Sequence, residues 1–108
     1  KIVDRKKDMI IISGFNVYPN EIEEVVMMHE KIFEAGCVGI NNKDGTESIK
    51  LFVSLLPGET LTIQEIHQHC KKNLTGYKVP KNIEFIDEIP KSNVGKILRR
   101  ELREMENA

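Results

Sequence analysis

Apolar positions along the chain switch between two periods. Met9 to Ile12 reads "MIII", a short β-branched run bounded by Ser13 and Gly14, which predicts a buried strand. In "NVYPNEIEEVVMMHE", which follows, Ile22, Val25, Val26 and His29 recur at i, i+3, i+4 and i+7. Pro19 and Asn20 are residues that open helices, and Glu21, Glu23 and Glu24 suit the positive end of a helix dipole, so this stretch predicts an amphipathic helix with one buried stripe. "AGCVGIN" and "SIKLFVSLL" are strand-like again, and the Asp44-Gly45 pair between them predicts an antiparallel hairpin. Pro57-Gly58 ends the second of these strands.

"TIQEIHQHCKKNL" places Thr62 and Glu65 at capping-box spacing and Ile63, Ile66, Cys70 and Leu74 on one helical face, with a stop near Gly76. "NIEFIDEIP" predicts a further strand closed by Pro90, and Leu98, Leu102 and Met105 predict a short last helix. The order β-α-β-β-α-β-α describes a small α+β domain. Its mixed sheet has about three main strands covered by helices, and a short hairpin-like strand stands at the N-terminal end.

Composition narrows the classes. The 108 residues make one domain's worth of chain, 40% hydrophobic and 31% charged with a formal net charge of -1, which lacks the basic excess of a nucleic-acid binder. Cys37 and Cys70 both lie in apolar patterns and cannot form a multi-bridge framework, which favours a reducing compartment, the cytoplasm. No apolar run approaches the ~18 residues of a membrane span. "KIVDRKKD" opens in mid-pattern at Lys1, the expectation for a piece of something longer.

Candidate chemistry gathers at "IPKSNVGKILRRELRE". The Gly95-Lys96 pair is not a phosphate loop, because the positions that would need a glycine and a Ser or Thr are Pro90 and Ile97. What remains is Lys96, a flexible point charge beside a permissive glycine on a polar loop. Such a group suits an oxygen whose charge builds up in a transition state. Lys91, Lys96, Arg99, Arg100 and Arg103 form a basic segment, but Glu101, Glu104 and Glu106 interrupt it and no aromatic residues are interleaved. A solvated helix face is expected there, with a small nucleic-acid or phosphate-binding module as the competing class.

In "HQHC", His67 and Cys70 share a helical face while His69 points elsewhere, and no second ligand pair stands at zinc-site spacing, so no metal is expected. The "NLT" at Asn73 is a lone sequon in a chain with nothing else secretory about it. "DRKKDMIIISGFN" offers a hydrophilic stretch where the chain could pivot, and at Gly14 a place where a thin ligand could come close.

Together, "DRKKDMIIISGFNVYPNEIE" resembles the hinge motif and "IPKSNVGKILRRELR" the C-terminal lysine motif of the adenylate-forming (AMP-binding) superfamily, whose members include acyl-CoA synthetases, aryl-CoA ligases, luciferases and adenylation domains. The wording is nearest to bacterial long-chain fatty acid:CoA ligases, and "LTGYKVPKNIEFIDEIPKS" extends the resemblance between the two motifs.

It implies that residues 1–108 are a mobile C-terminal lid whose large N-terminal ATP- and acyl-binding domain is absent. It further implies ATP, CoA and Mg2+ as cofactors, with ATP and Mg2+ held mainly by that other domain. Fatty acid and the chain's own N-terminal domain are the implied partners, with no nucleic acid and no transmembrane segment, and peripheral membrane association of the parent is compatible with this.

By the same resemblance Lys96 is the adenylation lysine, Lys7 the hinge, Arg5 a contact to the nucleotide ribose, and Gly14 the glycine on the strand lining the pantetheine tunnel. Ile11 stands where luciferase-like members carry a lysine, which argues against light-emitting chemistry. Aryl-CoA ligases and carrier-loading adenylation enzymes remain alternatives, since the acyl pocket lies elsewhere.

Overall fold

A computed structural model describes residues 8–107. Its elements are β1 (Ile10–Ile12), β2 (Phe15–Val17), α1 (Pro19–Met27), β3 (Ile32–Asn41), β4 (Glu47–Leu55), α2 (Ile63–Asn73), β5 (Asn82–Phe85) and α3 (Arg99–Asn107), with a single 3₁₀ turn at Gly76–Lys78. The predicted mixed sheet is present in the order β3-β4-β5, with β3 antiparallel to β4 and β4 parallel to β5. β3 and β4 are joined where predicted, with Gly45 at φ +89° and the Asp44 carboxylate accepting from the Thr46 N–H and hydroxyl. Because β4 and β5 are parallel, the chain must cross over between them, and α2 is that crossover.

Strand alternation assigns the layers. Ala35 and Cys37 of β3, with Ile49, Leu51 and Val53 of β4, enter a cluster with Ile10, Val17, Ile22, Val26, Ile66 and Cys70. Val38 and Phe52 instead join Ile89 and Leu102, with Ile97 packed against them. Since successive side chains in a strand point to opposite faces, α1, α2 and the β1-β2 hairpin cover one face and α3 covers the other. Gly36 lets α3 sit close to the sheet: a Cβ there would lie 2.6 Å from Leu102 Cδ1.

Several expectations shift on physical grounds. The short N-terminal strand has a partner of its own, since β1 and β2 pair through a two-residue turn with Ser13 at φ 52° and Gly14 at φ 82°, the positive pair that a type I′ hairpin turn requires. The helix expected to run to His29 ends at Met27. Bonds of the i→i−3 type from Met28 to Val25 and His29 to Val26 tighten its last turn, and His29 Nδ1 then accepts from the Lys31 N–H as the chain swings into β3.

Its buried stripe is therefore Pro19, Ile22, Glu23 and Val26, one turn earlier than expected and with a glutamate inside it. The α2 capping box forms between Thr62 and Glu65, while Ile63 is 46% exposed and Leu74 is buried just past the helix end. Of "NIEFIDEIP" only the first four residues form a strand, and Ile89 turns into the cluster under α3. Among the described residues no helix is long and apolar enough to cross a membrane.

Candidate functional site

Lys96 stands on a turn whose backbone is held at every step. Lys91 and Ile97 form an antiparallel bridge, the Ser92 N–H donates to the Lys96 carbonyl at 2.8 Å, and the Gly95 N–H donates to the Ser92 carbonyl at 2.9 Å. The Ser92 hydroxyl accepts from the N–H groups of Val94 (3.3 Å) and Lys96 (3.2 Å). Gly95 occupies φ +83°, a conformation that a side chain would strain even though the space around it is open. The Lys96 side chain is exposed, and among the described residues its ammonium makes no hydrogen bond or ion pair. A fixed backbone carrying a free charge is what a residue needs if its partner is to arrive from outside.

The helix leaving this turn is tied down along its length. Arg99 donates through its outer nitrogen to Glu23 Oε1 at 2.7 Å and through Nε to Glu23 Oε2 (3.3 Å) and the Cys37 carbonyl (3.2 Å). Arg103 faces the Asp8 carboxylate at 3.6 Å, and Glu106 meets Lys50 at 2.7 Å, where Glu84 joins at 2.9 Å. Burial by itself would lower the Lys50 ammonium, but the hydrogen bonds it donates to Glu106 and Glu84, together with their negative charges, hold it above its usual range. Lys91 pairs with Glu34. The expected solvated basic face holds for part of the segment. Arg99 is held inside the domain by Glu23, Arg103 and Lys91 are paired at the surface with Asp8 and Glu34, and Arg100 and Lys96 are the outward cations of that set.

A second locus lies at the β1-β2 hairpin. Gly14 is in the turn between the two strands rather than on a strand, a correction that follows from the two positive φ angles. The hairpin is braced by Glu47 Oε1, which accepts from the Ile11 N–H at 2.8 Å, and by Phe15 stacked on Tyr77 with ring centroids 4.5 Å apart. Beside it runs an open groove of about 840 Å³ lined by Ser13, Gly14, Thr46, Tyr77 and Lys81 among others. A Cβ at Gly14 would meet nothing within 4 Å, so the glycine serves the turn's φ and leaves that edge clear. Ile11 is 48% exposed on the same hairpin.

Arg5 and Lys7 lie outside the described residues. Asp8, immediately after Lys7, is the first described residue, and Arg103 anchors it to α3. The histidines and cysteines form no common ligand cluster among the described residues. His69 Nε2 contacts the Val25 carbonyl at 2.7 Å and its ring meets His29 edge-on at 5.3 Å, while Cys70 is buried and its thiol is pushed up to about 11 by desolvation. Among the described residues no group of three or more His, Cys, Asp or Glu could hold a metal ion.

Sequence reasoning missed Glu23 and the inward role of Arg99. The available signal was a charge at the i+4 position of an i, i+3, i+4, i+7 stripe beginning at Pro19. It also missed Ser92 as the residue holding the Lys96 backbone.

The family described as AMP-binding enzyme C-terminal domain matches residues 21–96. A long-chain-fatty-acid–CoA ligase of Yersinia pestis is 60% identical over 98% of the chain, which spans only 19% of that protein. Among solved structures, a Mycobacterium tuberculosis fatty acyl CoA synthetase superposes over 94% of this chain and 20% of its own, with TM-score 0.85 and 38% identity. ATP-bound MatB from Rhodopseudomonas palustris superposes over 96% of this chain and 21% of its own, with TM-score 0.88 and 31% identity.

Proposed function

The chain belongs to the AMP-binding enzyme C-terminal domain family, and we propose that it is the mobile lid of an ATP-dependent long-chain fatty acid:CoA ligase. The observation that carries this reading is Lys96: its backbone is pinned by Ser92, and its exposed ammonium has no partner among the described residues. In adenylation a fatty carboxylate oxygen attacks the α-phosphorus of ATP, the bond to the β,γ-phosphates breaks, and pyrophosphate leaves with the electron pair. Negative charge accumulates on the oxygens of the reacting carboxylate and phosphate. A preorganised ammonium reaching into the other domain offsets that charge most where it is greatest, in the transition state.

In the second half-reaction the CoA thiol gives up its proton and attacks the acyl carbon, and AMP departs. The Gly14 turn is proposed as the edge past which the pantetheine arm runs, with the ribose contacted by Arg5 and the reorientation between the two steps centred on Lys7. Mg2+ and most of ATP are assigned to the partner domain on the strength of the resemblance, and Lys96 is the group this domain brings to them. The layer order supports a two-step use of the lid, because the hairpin and the lysine turn are built on opposite faces of one sheet.

The test is Lys96→Ala in the full-length enzyme. Pyrophosphate exchange should fall by ~10²- to 10³-fold, the cost of one preorganised charge contact, while acyl transfer from supplied acyl-adenylate is largely kept. An equal fall in both half-reactions would assign Lys96 a structural part and overturn the reading.

A further inference from the structure

β3 is an edge strand, and at its middle the two faces of the domain are locked together around that edge. The Cys37 N–H donates to Glu23 Oε2 at 2.8 Å and the Cys37 carbonyl accepts from Arg99 Nε at 3.2 Å. The Glu23 carboxylate also takes the Arg99 fork at 2.7 and 3.3 Å. Glu23 belongs to α1 on one face, directly after the hairpin, and Arg99 opens α3 on the other, three residues after Lys96. Both side chains are withdrawn from water, with 4% and 13% of their surface exposed.

A buried ion pair is poor evidence of added stability, since desolvating two charges offsets much of their attraction. Its geometry, however, is specific: a guanidinium fork bridging a carboxylate and a strand carbonyl permits one orientation of the helix that carries it. The chain between the fork and Lys96 is short and itself bonded, through the Leu98 N–H to the Pro90 carbonyl at 2.9 Å and through the Lys91–Ile97 bridge. A displacement of Arg99 is therefore passed to Lys96 with little loss.

We infer that Glu23 and Arg99 are positioning residues for adenylation, a latch across the β3 edge that fixes where Lys96 is presented. This rests on the proposed role of Lys96 and extends it to two residues that touch neither substrate nor Lys96. α1 is anchored on both sides of Glu23 by Ile22 and Val26, whereas Arg99 is the first residue of α3 and its buried anchor, Leu102, lies only on the far side from Lys96, so the error falls on the lysine side and the hairpin keeps its place.

The experiment uses the full-length enzyme with Glu23→Gln, Arg99→Lys and the packing-preserving double variant Glu23→Leu with Arg99→Met, each scored for thermal midpoint, pyrophosphate exchange and acyl transfer from premade acyl-adenylate. A misplacement of about 1 Å can cost ~10²-fold. The expected result is a 10- to 100-fold loss in pyrophosphate exchange, with KM for ATP little changed and acyl transfer within about twofold. In a cycle with Lys96→Ala, Glu23→Gln should add almost nothing to the adenylation defect, because both changes remove the same contact.

Equal losses in both half-reactions, or an additive cycle, would make the pair merely structural and overturn the inference. If Glu23→Gln misfolds, the apolar double variant decides: normal pyrophosphate exchange in a folded protein without the fork overturns it too. Failure of Lys96→Ala to impair adenylation would instead strike the role of Lys96 itself, so the two failures are told apart.

Discussion

Gly36→Ala tests whether α3 is seated as closely as the geometry requires. The added Cβ would lie 2.6 Å from Leu102 Cδ1, 3.4 Å from Ile89 Cγ2 and 3.6 Å from Ile97 Cγ2. Carbon pairs are most favourable near ~3.5–4.0 Å, so Leu102 must retreat by about 1 Å. It has nowhere to go cheaply, being fully buried against Val38, Phe52 and Ile89. Overpacking of this kind costs ~1–3 kcal/mol, and the lower unfolded-state entropy of alanine returns ~0.4–1 kcal/mol. The net expectation is a loss of about 1–2 kcal/mol, which at an m-value of roughly 1–3 kcal/mol/M moves the urea midpoint down by ~0.3–2 M.

The decisive measurement is the pair with Leu102→Ala. Leu102→Ala alone opens a cavity and costs ~2–5 kcal/mol, but in that background the new methyl enters vacated space and Gly36→Ala should turn neutral or stabilising. A Gly36→Ala protein as stable as the parent, or a double variant whose losses simply add, would refute the close seating of α3 on β3.

Three further outcomes are expected. Gly14→Leu places a side chain at φ +82° beside the groove, which should leave pyrophosphate exchange intact and stop acyl transfer from acyl-adenylate; parallel loss of both would mean the glycine serves only the turn. Lys7→Pro fixes φ near −65° at the proposed pivot, so one half-reaction should persist while the full cycle stalls, and a normal overall rate would place the pivot elsewhere. Cys70 has a folded-state value of about 11 against an ordinary 9.0, so the folded protein keeps its proton where the unfolded chain loses it. Stability should therefore fall as pH rises through that window, and Cys70→Ala should flatten this part of the denaturation-versus-pH curve.

Much of this was legible in the chain. The 3.6-residue period of α2, its capping box and the Asp44-Gly45 turn are local signals, and each element appears where they place it. The parts that stayed hidden depend on contacts distant in sequence or on very short elements. β2 is three residues long, too brief for alternation to register, and its cue was only the Ser13-Gly14 turn. Arg99 looked like one more cation in a mixed-charge helix because its partner Glu23 is 76 positions away. His29 fitted a helical stripe whose register was set by Pro19, one turn earlier. For the site, Lys96 and Gly14 stand out by motif, whereas the Ser92 hydroxyl that holds the Lys96 backbone has no one-residue signature.

The layer order carries the last step. Ile97, next to Lys96, packs with the cluster under α3, and the Gly14 turn belongs to a hairpin whose Ile10 and Val17 pack with the cluster on the other face. A sheet and its covering layers are spaced on the order of 10 Å apart, so neither a lysine side chain nor a small hinge in the lysine turn brings both ends to one reaction centre. If each acts on the same substrate, the whole domain must turn as a body. The contacts favour such rigidity: Arg103 holds Asp8, the residue after the proposed pivot, to α3, Glu106 holds the far end of α3 to Lys50 of β4, and the Glu23–Arg99 latch closes the β3 edge. Ion pairs that tie separate layers together resist shear inside the domain, so the proposed reorientation would carry residues 8–107 as one body.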